Sequence, residues 1–235
     1  MDSSRFKALA LVPARGGSKR LPRKTLTLLS GKPLLAWTVA TAFEAGIFDD
    51  VWVSSEDDEI LSVASALGAR TLRRPSALAD DRATVVQVAQ AALQDVARQG
   101  RSYSALYVLL PTSPLRRKET IRKAWQTFDK SGAEALMSVV RVEHPPQWAL
   151  REMEGWIEPL YPKEFELNRQ SLIPAFRHDG GHFIVQAAKF MECTSIGNLR
   201  TLAFPVAEEE AVDVNTSMDL AWAEFLLQRS ELTTI

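Results

Sequence analysis

Leu11-Val-Pro-Ala-Arg-Gly-Gly-Ser-Lys-Arg-Leu-Pro-Arg-Lys24 is the stretch on which the interpretation of this chain depends. It continues an apolar run that starts at Ala8, and such a run predicts a buried strand. Pro13 and the pair Gly16-Gly17 then turn the chain into a loop with five basic residues and no acid. Adjacent glycines let backbone N–H groups come close to an anion. Because packed like charges repel unless a ligand neutralises them, this loop is expected to bind a polyanion.

The loop does not follow the common phosphate-binding patterns. Neither G-x-x-x-x-G-K-[ST] nor G-x-G-x-x-G occurs in the chain, so it is neither a P-loop nor a Rossmann dinucleotide fingerprint. The alternative is a solvated basic turn, although surface loops usually mix both signs of charge.

Beyond the loop, apolar runs that predict strands alternate with segments of helical periodicity. The predicted strands are 8–12, 51–54, 69–72, 105–110, 135–140, 183–185 and 201–206, and the predicted helices are 33–45, 57–67, 82–98, 118–132 and 218–226. This alternation is typical of an α/β fold with a mostly parallel, doubly wound, Rossmann-like sheet and helices on both faces. In such sheets the site lies at the carboxyl ends of the strands, where the basic loop, Ser54-Ser55, Thr112-Ser113 and Val140-Arg141 are expected to meet.

Length and composition indicate a single domain over residues 1–235. A net charge of −1 favours neither a nucleic-acid nor a membrane partner. The charge is uneven, since 28 of the 29 acidic residues but only 20 of the 28 basic ones follow Phe43. Cys193 is the only cysteine, which excludes an internal disulfide. With neither a signal-peptide pattern nor a long apolar span, we expect a cytoplasmic protein.

Residues 141–177 break the alternation and form a proline-rich excursion from the sheet. Trp148 and Trp156 lie in it, and indole rings are costly to leave in water. A partner surface is therefore expected here, with a long surface loop as the alternative.

The basic loop and several later segments resemble those of a known family. Pro13-Ala-Arg-Gly-Gly-Ser-Lys-Arg-Leu-Pro-Arg-Lys24, followed by Gly31-Lys-Pro33, is similar to the N-terminal motif of the acylneuraminate cytidylyltransferases. These are the CMP-sialic acid synthetases and their pseudaminic and legionaminic acid relatives, and the resemblance runs over nearly the whole chain. It implies a Rossmann-like nucleotidyltransferase that transfers CMP from CTP to the anomeric hydroxyl of a nine-carbon sugar acid and releases pyrophosphate. It also implies Mg²⁺ as cofactor, with Mn²⁺ as an alternative, and a homodimer or dimer of dimers that exchanges the excursion.

The resemblance assigns the nucleotide side of the site. It implies that the catalytic charges Arg15, Lys19 and Lys24 contact the triphosphate, and that nucleotide-binding backbone comes from Ala14, Gly16, Gly17 and Ser18. The stretch around Arg73-Arg74-Pro75 and Leu78 to Thr84 resembles the family segment along the cytosine, which makes Arg74, Ala83 and Thr84 the base-side candidates. The alternative is that Asp80 or Asp81 caps the next helix and Arg74 neutralises it. Ser55 and Glu56 are expected to act as helix caps.

The sugar side departs from the family pattern. Leu109-Leu-Pro-Thr-Ser-Pro-Leu-Arg116 resembles L-Q-P-T-S-P-L-R, with Leu110 in place of a glutamine that contacts the sugar in relatives. The substitution disfavours N-acetylneuraminate as the substrate. Thr112, Ser113, Arg169 and Gln170 are the sugar-side candidates. Arg169 suits a carboxylate because its guanidinium forms two parallel bonds, with an interface salt bridge as the alternative.

Asp213-Val-Asn-Thr-Ser-Met-Asp219 resembles the family's metal motif D-[IV]-D-T-x-x-D, whose first two aspartates hold Mg²⁺. Asp213 and Asn215 are therefore the metal candidates. An amide oxygen can coordinate Mg²⁺ but brings no charge, so weaker metal binding is expected. Alternatively Asp213 caps a strand end, and Asp219 is a helix N-terminal charge. His178 and His182 are not a metal pair by spacing alone.

Two other functions remain open at this point. One is a cytidylyltransferase for a Kdo-type eight-carbon acid, which the opening motif disfavours because Kdo enzymes resemble a shorter pattern. The other is a degenerate, non-catalytic nucleotide- or sugar-binding protein, supported by Leu110 and Asn215 alone.

Overall fold

The apolar run before the basic loop forms an interior strand of the main sheet, with a neighbouring strand on each side. The computed structural model describes residues 6–80 and 82–232, and side chains as far as residue 229. The strands are β1 (Ala8–Pro13), β2 (Leu28–Leu29), β3 (Lys32–Pro33), β4 (Asp50–Ser55), β5 (Arg70–Arg73), β6 (Ala105–Val108), β7 (Ala135–Arg141), β8 (Leu150–Met153), β9 (Trp156–Pro159), β10 (Phe176–Gln186) and β11 (Thr201–Pro205). The helices are α1 (Leu34–Ala45), α2 (Asp58–Ala66), α3 (Val85–Arg98), α4 (Lys118–Ser131), α5 (Ala187–Glu192) and α6 (Ser217–Leu232).

The main sheet has seven strands in the order β11-β7-β10-β6-β1-β4-β5. All neighbours pair in parallel except β10, which runs antiparallel to both β6 and β7. This confirms the prediction of a mostly parallel sheet. Consequently the carboxyl ends of β1, β4, β6 and β7 lie along one edge, together with the amino-terminal half of β10.

Helices cover both faces of the sheet, which confirms the doubly wound prediction. On one face α1, α2 and α4 contribute Leu35, Ile60 and Phe128 to the core, while α3 packs Ala89 and Ala92 on the other. A third cluster joins the two ends of the chain. Leu29, Leu34, Val214, Ala223 and Leu226 pack together, so that burial of these side chains holds α6 and the segment before it against the region that follows the basic loop.

Most elements lie within two residues of their predicted bounds, whereas α3, β10 and α6 differ by three or more, α6 ending at Leu232 rather than at residue 226. Helix α3 begins at Val85 rather than Arg82, because Thr84 caps it in a reciprocal capping box with Gln87. The side chain of Asp80 instead accepts hydrogen bonds from the N–H groups of Arg82 and Ala83 in the preceding turn, so its predicted capping of the helix is wrong. Asp81 lies outside the described residues.

The antiparallel strand β10 is also longer than predicted. Phe183–Val185 was expected from its apolar side chains, but pairing with β7 already starts at Phe176 opposite Arg141. The register shifts between His178 and Phe183, around the pair Gly180-Gly181. Backbone hydrogen bonds to β7 extend the strand through this polar segment. Because the segment lacks an apolar pattern, its sequence does not predict a strand.

The excursion leaves the main sheet over residues 142–175, whereas its predicted ends, Arg141 and Phe176-Arg177, pair within β7 and β10. Among the residues that the structure describes, its strands β8 and β9 pair only with each other, as a separate antiparallel ribbon. Large apolar side chains are left exposed on it, with 79% of Trp156, 66% of Ile157 and 81% of Ile173 accessible. In the described part of the chain, no helix is long and apolar enough to cross a membrane.

Candidate functional site

The basic loop is anchored to the sheet at its start and to a short turn at its end. The N–H of Ala14 donates to the carbonyl of Ser54 at 2.9 Å, which extends the pairing of β1 with β4. Lys24–Leu26 form a single 3₁₀ turn in which Thr25 is buried. The hydroxyl of Thr25 donates back to the carbonyl of Arg15 at 3.3 Å. The loop therefore closes on itself and places Lys24 beside Arg15.

Lys24 faces the acidic segment from the other end of the chain. Its Nζ donates to Oδ1 of Asn215 at 2.9 Å, and Nη2 of Arg20 donates to the same oxygen at 3.0 Å. Nδ2 of Asn215 donates to Oδ2 of Asp213 at 2.6 Å. Burial lowers the pKa of Lys24, an effect that Asp213 opposes and that Arg20 and Arg15 reinforce. Five charged or polar side chains thus form one cluster at the edge of the sheet.

The acidic segment is held in place by its own backbone. Val214 is fully buried, and its N–H donates to the carbonyl of Thr112 at 2.7 Å. The carboxylate of Asp219 accepts from the N–H groups of Asn215 and Thr216 and from the Thr216 hydroxyl. Burial works to raise the pKa of Asp219, but these hydrogen bonds lower it overall. Asp219 thus fixes the turn before α6. It lies in the first turn of that helix, in agreement with the alternative that it is a helix N-terminal charge.

Glu56 joins the basic loop to Arg74, a role that the sequence did not reveal. The N–H of Gly16 donates to Oε1 of Glu56 at 2.8 Å, while Nε and Nη2 of Arg74 donate to Oε2 at 3.2 and 3.0 Å. Arg74 also donates to the carbonyl of Ala14 at 3.2 Å and is 7% exposed. Burial lowers the pKa of Arg74, and the Glu56 carboxylate opposes that effect.

These contacts correct two expectations. Helix α2 is capped by Asp57, whose carboxylate accepts from the N–H groups of Glu59 and Ile60. Glu56 is therefore not a cap, and Ser55 contributes only by accepting from the N–H of Asp57. Arg74 pairs with Glu56, and not with Asp80, the acid that the structure describes before α3. Spacing within one segment does not reveal that Glu56 has a partner 18 residues away along the chain.

Of the two loop glycines, only Gly16 is required by packing. A Cβ atom built on Gly16 would lie 2.4 Å from Oδ2 of Asp57, whereas one on Gly17 would meet nothing within 4 Å. Ser18 is half-buried and Lys19 is exposed. Arg15 is half-buried and lies close enough to influence the pKa of both Lys24 and Arg74.

The turn after β6 carries the predicted sugar-side residues Thr112 and Ser113. The N–H of Ser113 donates to the carbonyl of Leu110 at 3.2 Å, and its side chain is fully buried. Arg116 connects this turn to β10, because its guanidinium donates to the carbonyls of Leu110 at 3.1 Å and Gly181 at 2.6 Å. Burial lowers the pKa of Arg116 to about 10. Arg116 ends the segment that resembles L-Q-P-T-S-P-L-R, and its buried guanidinium stabilises the turn after β6.

A buried polar cluster lies behind this turn. The hydroxyl of Tyr107 is 2.5 Å from Nδ1 of His182, and Ser138 donates to the carboxylate of Asp179. Burial, with Arg116 nearby, holds the pKa of His182 well below its usual value, so the imidazole is neutral. Within the described residues, no group of three or more acidic, histidine or cysteine side chains is arranged to hold a metal.

The remaining candidates lie apart from this cluster. Thr84 is exposed at the cap of α3, with Ala83 half-buried beside it. Arg169 and Gln170 are exposed on a short turn of the excursion, where Arg169 lines a small cavity with Arg141. The structure therefore brings Arg15, Lys24, Asp213 and Asn215 together, whereas Arg169 and Gln170 stay on the excursion. A role in binding a sugar stays a prediction for both.

The chain is similar in sequence to a family of known enzymes. The sequence model of a family described as cytidylyltransferase matches residues 9–190. A pseudaminic acid cytidylyltransferase from Campylobacter jejuni is 33% identical over 224 residues, which cover 94% of this chain and 96% of that protein. A CMP-N,N'-diacetyllegionaminic acid synthase from Legionella pneumophila is 29% identical, over 96% of this chain and 98% of the relative. An N-acylneuraminate cytidylyltransferase from Streptococcus agalactiae is 30% identical over 91% of this chain but only 52% of its own length.

Solved structures share the fold. A CMP:2-keto-3-deoxy-manno-octonic acid synthetase complexed with CTP aligns with a TM-score of 0.72 at 16% identity, covering 95% of this chain and 99% of that one. A 4-diphosphocytidyl-2C-methyl-D-erythritol synthase aligns with a TM-score of 0.70, also at 16% identity, covering 96% and 100%. Because the family match spans most of the sheet and the Campylobacter relative is similar along nearly its full length, the chain belongs to the cytidylyltransferase family.

Proposed function

We propose that the chain transfers CMP from CTP to the anomeric hydroxyl of a nonulosonic acid, a nine-carbon α-keto sugar acid, and releases pyrophosphate. The observation that carries this proposal is the contact of Lys24 and Arg20 with Asn215, beside Asp213. A row of cations facing a carboxylate is the arrangement that a metal-loaded triphosphate requires. Transfer at the α-phosphate needs in-line placement and cancellation of charge on the leaving pyrophosphate more than covalent help.

Lys24, Arg15 and Lys19 are the proposed triphosphate ligands. Burial lowers the pKa of Lys24 because its charged form loses solvation, and a bound phosphate would favour the charged form again. Because the Lys24 ammonium group is already partly desolvated and held by Asn215, it needs little reorganisation when negative charge develops opposite it. In this role Asn215 positions Lys24.

Arg74 is the proposed contact to the base, with Ala83 and Thr84 beside it. Its guanidinium is held by Glu56 and by the carbonyl of Ala14, so its plane is fixed before any ligand arrives. A planar guanidinium with a fixed orientation can recognise the acceptor atoms of a base edge selectively. The same Glu56 carboxylate holds the N–H of Gly16, which couples the base side to the phosphate loop.

Asp213 is the proposed ligand of Mg²⁺, with Mn²⁺ as the alternative metal. Its carboxylate is exposed beside the basic cluster, and Mg²⁺ commonly binds one or two carboxylates together with substrate phosphates. The metal would supply neutralisation of the phosphate charge. Coordination by Asn215 stays a prediction, because its amide oxygen already accepts from Lys24 and Arg20, and a metal would have to displace those donors.

The excursion is proposed to bring two copies together. Trp156, Ile157 and Ile173 form an exposed apolar set that is expensive to leave in water. A homodimer, or a dimer of dimers, is therefore proposed. Arg169 and Gln170 lie on the same excursion, and we propose that they contact the sugar acid, Arg169 by pairing with the carboxylate of that acid.

The test is pyrophosphate release from CTP and Mg²⁺ with a panel of acids: pseudaminic acid, N,N'-diacetyllegionaminic acid, N-acetylneuraminate and the eight-carbon acid Kdo. The proposal predicts a CMP-sugar product with at least one nine-carbon acid. Turnover with Kdo alone would instead favour the eight-carbon alternative. CTP binding without turnover of any acid would favour a non-catalytic binding protein.

A further inference from the structure

Arg20 is a cation of the basic loop to which the resemblance assigns no role. Its side chain is exposed, and its Nη2 atom donates to Oδ1 of Asn215 at 3.0 Å. Nζ of Lys24 donates to the same oxygen at 2.9 Å. Because the shared acceptor is a neutral amide, it holds the two cations side by side without neutralising either of them. Like charges this close repel, so an anion that contacted both would stabilise the arrangement.

Arg23 lies on the same loop and is also exposed, but its partners are different. Its guanidinium pairs with the carboxylate of Asp57 at 3.5 Å and with that of Glu59 at 2.6 Å. Two acids at the start of α2 therefore neutralise Arg23. Arg20 is instead one of the side chains in the cluster around Asn215. The two arginines thus allow a comparison between a charge that faces the site and one that is paired outside it.

Hydrogen bonds set the order of the other cations, starting from the base side. Arg74, the proposed contact to the base, donates to the carbonyl of Ala14 at 3.2 Å. The residue after Ala14 is Arg15, whose carbonyl accepts from the hydroxyl of Thr25 at 3.3 Å. Thr25 directly follows Lys24 in the chain. These contacts therefore lead from Arg74 to Arg15 and then to Lys24.

Arg20 continues this row beyond Lys24, since the two side chains meet at Asn215. The pKa values agree with this order. Burial lowers the pKa of both Arg74 and Lys24, and the charge of Arg15 adds to both effects, whereas the charge of Arg20 adds to the effect on Lys24. A nucleoside triphosphate whose base lies at Arg74 has its β- and γ-phosphates farthest from that residue. Arg20 therefore lies where the pyrophosphate part of CTP is expected.

We propose, building on the proposed function, that Arg20 is a catalytic residue that contacts the β- and γ-phosphates of CTP and stabilises the departing pyrophosphate. In the transfer, the anomeric oxygen forms a bond to the α-phosphorus, and its proton passes to water. The bond between the α-phosphorus and the bridging oxygen breaks, and its electron pair stays on the pyrophosphate.

The guanidinium of Arg20 suits this role. A guanidinium has five N–H donors, so its bond to Asn215 does not prevent further bonds to phosphate oxygens. Negative charge grows at the pyrophosphate end as the bond breaks. A cation that is already held there stabilises the transition state more than the bound substrate, which raises kcat.

The first test is calorimetric titration of wild type and Arg20→Gln with CTP, CMP and inorganic pyrophosphate, in the presence of Mg²⁺ and without a sugar acid. Arg20→Gln should weaken the binding of CTP and of pyrophosphate about tenfold, near the lower end of the range for hydrogen bonds to charged groups. Binding of CMP, which lacks the β- and γ-phosphates, should stay within about twofold of wild type. Arg23→Gln is the matched control, and its three affinities should stay within about twofold.

The second test is kcat for pyrophosphate release at saturating CTP, with the acid that wild type uses best. Arg20→Gln should lower kcat at least tenfold. Thermal unfolding should stay unchanged because the side chain is exposed, and Arg20→Met decides by the same measurements if the glutamine variant does not fold. Unchanged CTP binding or kcat in a folded variant, or equal weakening of CTP and CMP, overturns the role of Arg20 and leaves the proposed function standing. Failure of wild type to form a CMP-sugar from any acid overturns both.

Discussion

Nζ of Lys24 lies 2.9 Å from Oδ1 of Asn215, although 191 positions separate the two residues in the chain. The contact exists because Val214 is buried among Leu29, Leu34 and the residues of α6, which holds the acidic segment over the basic loop. Arg20 donates to the same amide oxygen, so one neutral side chain receives two cations. The site therefore carries a surplus of positive charge that a triphosphate would neutralise.

Changing Asn215 to aspartate should alter the metal requirement of the reaction. Asn215→Asp places a second carboxylate beside Asp213, which strengthens attraction for a divalent cation. The half-saturating Mg²⁺ concentration for pyrophosphate release should fall severalfold relative to wild type. Asn198→Asp, which adds the same charge at an exposed turn, serves as the control. An unchanged Mg²⁺ requirement would place Asn215 away from the metal.

Gly16 and Gly17 should respond differently to the addition of one methyl group. Gly16→Ala puts a Cβ atom 2.4 Å from Oδ2 of Asp57, whose carboxylate caps α2. Displacing a cap costs about 0.5–2 kcal/mol, and the loop that carries the N–H of Gly16 must move as well. Chemical unfolding should show this loss, and CTP affinity should fall with it.

The matched control is Gly17→Ala, where the new Cβ atom meets nothing within 4 Å. Its unfolding free energy should stay within about 0.5 kcal/mol of wild type. Equal effects of the two alanines would show that the close approach of Gly16 to Asp57 does not govern the loop conformation.

Removal of the Glu56 carboxylate should destabilise the protein through Arg74. In Glu56→Ala the buried guanidinium of Arg74 loses its acceptor, and an unsatisfied buried donor costs about 1–3 kcal/mol. For a chain of this size the melting temperature falls by about 2–4 °C for each kcal/mol. Differential scanning calorimetry measures the change directly.

Glu59→Ala is the control for this prediction. Glu59 pairs with Arg23, but both side chains are more than half exposed, and such pairs contribute about 0–1 kcal/mol. A larger loss of stability in Glu59→Ala than in Glu56→Ala would contradict the bracing role of Glu56.

Self-association should depend on the excursion. Trp156→Glu puts a charge into the exposed apolar set on β9, and a charge buried at an interface without a partner is strongly unfavourable. Sedimentation equilibrium should show a shift from dimer toward monomer. Trp222→Glu makes the same change at a 51% exposed position on α6 and should leave the dimer intact. A wild-type protein that is monomeric at micromolar concentration would contradict the proposed dimer.

Most of the fold could be predicted because its signals are local. The buried run 8–12, the helical periodicity of α3 and α4 and the glycine that ends α1 each lie within one element. The alternation of such elements then indicates a parallel sheet. The first half of strand β10 could not be predicted, because it is polar and is specified by pairing with β7 rather than by its own side chains.

The site was predictable only where a motif lay within one segment. The loop from Arg15 to Lys24 and the turn at Thr112 follow from contiguous residues. The pairing of Glu56 with Arg74 and the bracing by Arg116 depend on contacts between distant segments, which spacing does not reveal. The direction of the Asn215 oxygen, toward Lys24, could likewise be seen only with both segments in place.

The most direct test of the account is the turnover of Lys24→Met, measured as pyrophosphate release from CTP with Mg²⁺ and the preferred acid. The substitution keeps an unbranched side chain but removes the charge that faces the proposed triphosphate site. Arg23→Gln, on the same loop but paired with Asp57 and Glu59, is the control. We predict a loss of about 10²–10³-fold in kcat/KM for CTP in Lys24→Met, with melting temperature preserved, and a change within about threefold in Arg23→Gln. Wild-type turnover in a folded Lys24→Met protein would contradict the central claim that this lysine holds the triphosphate.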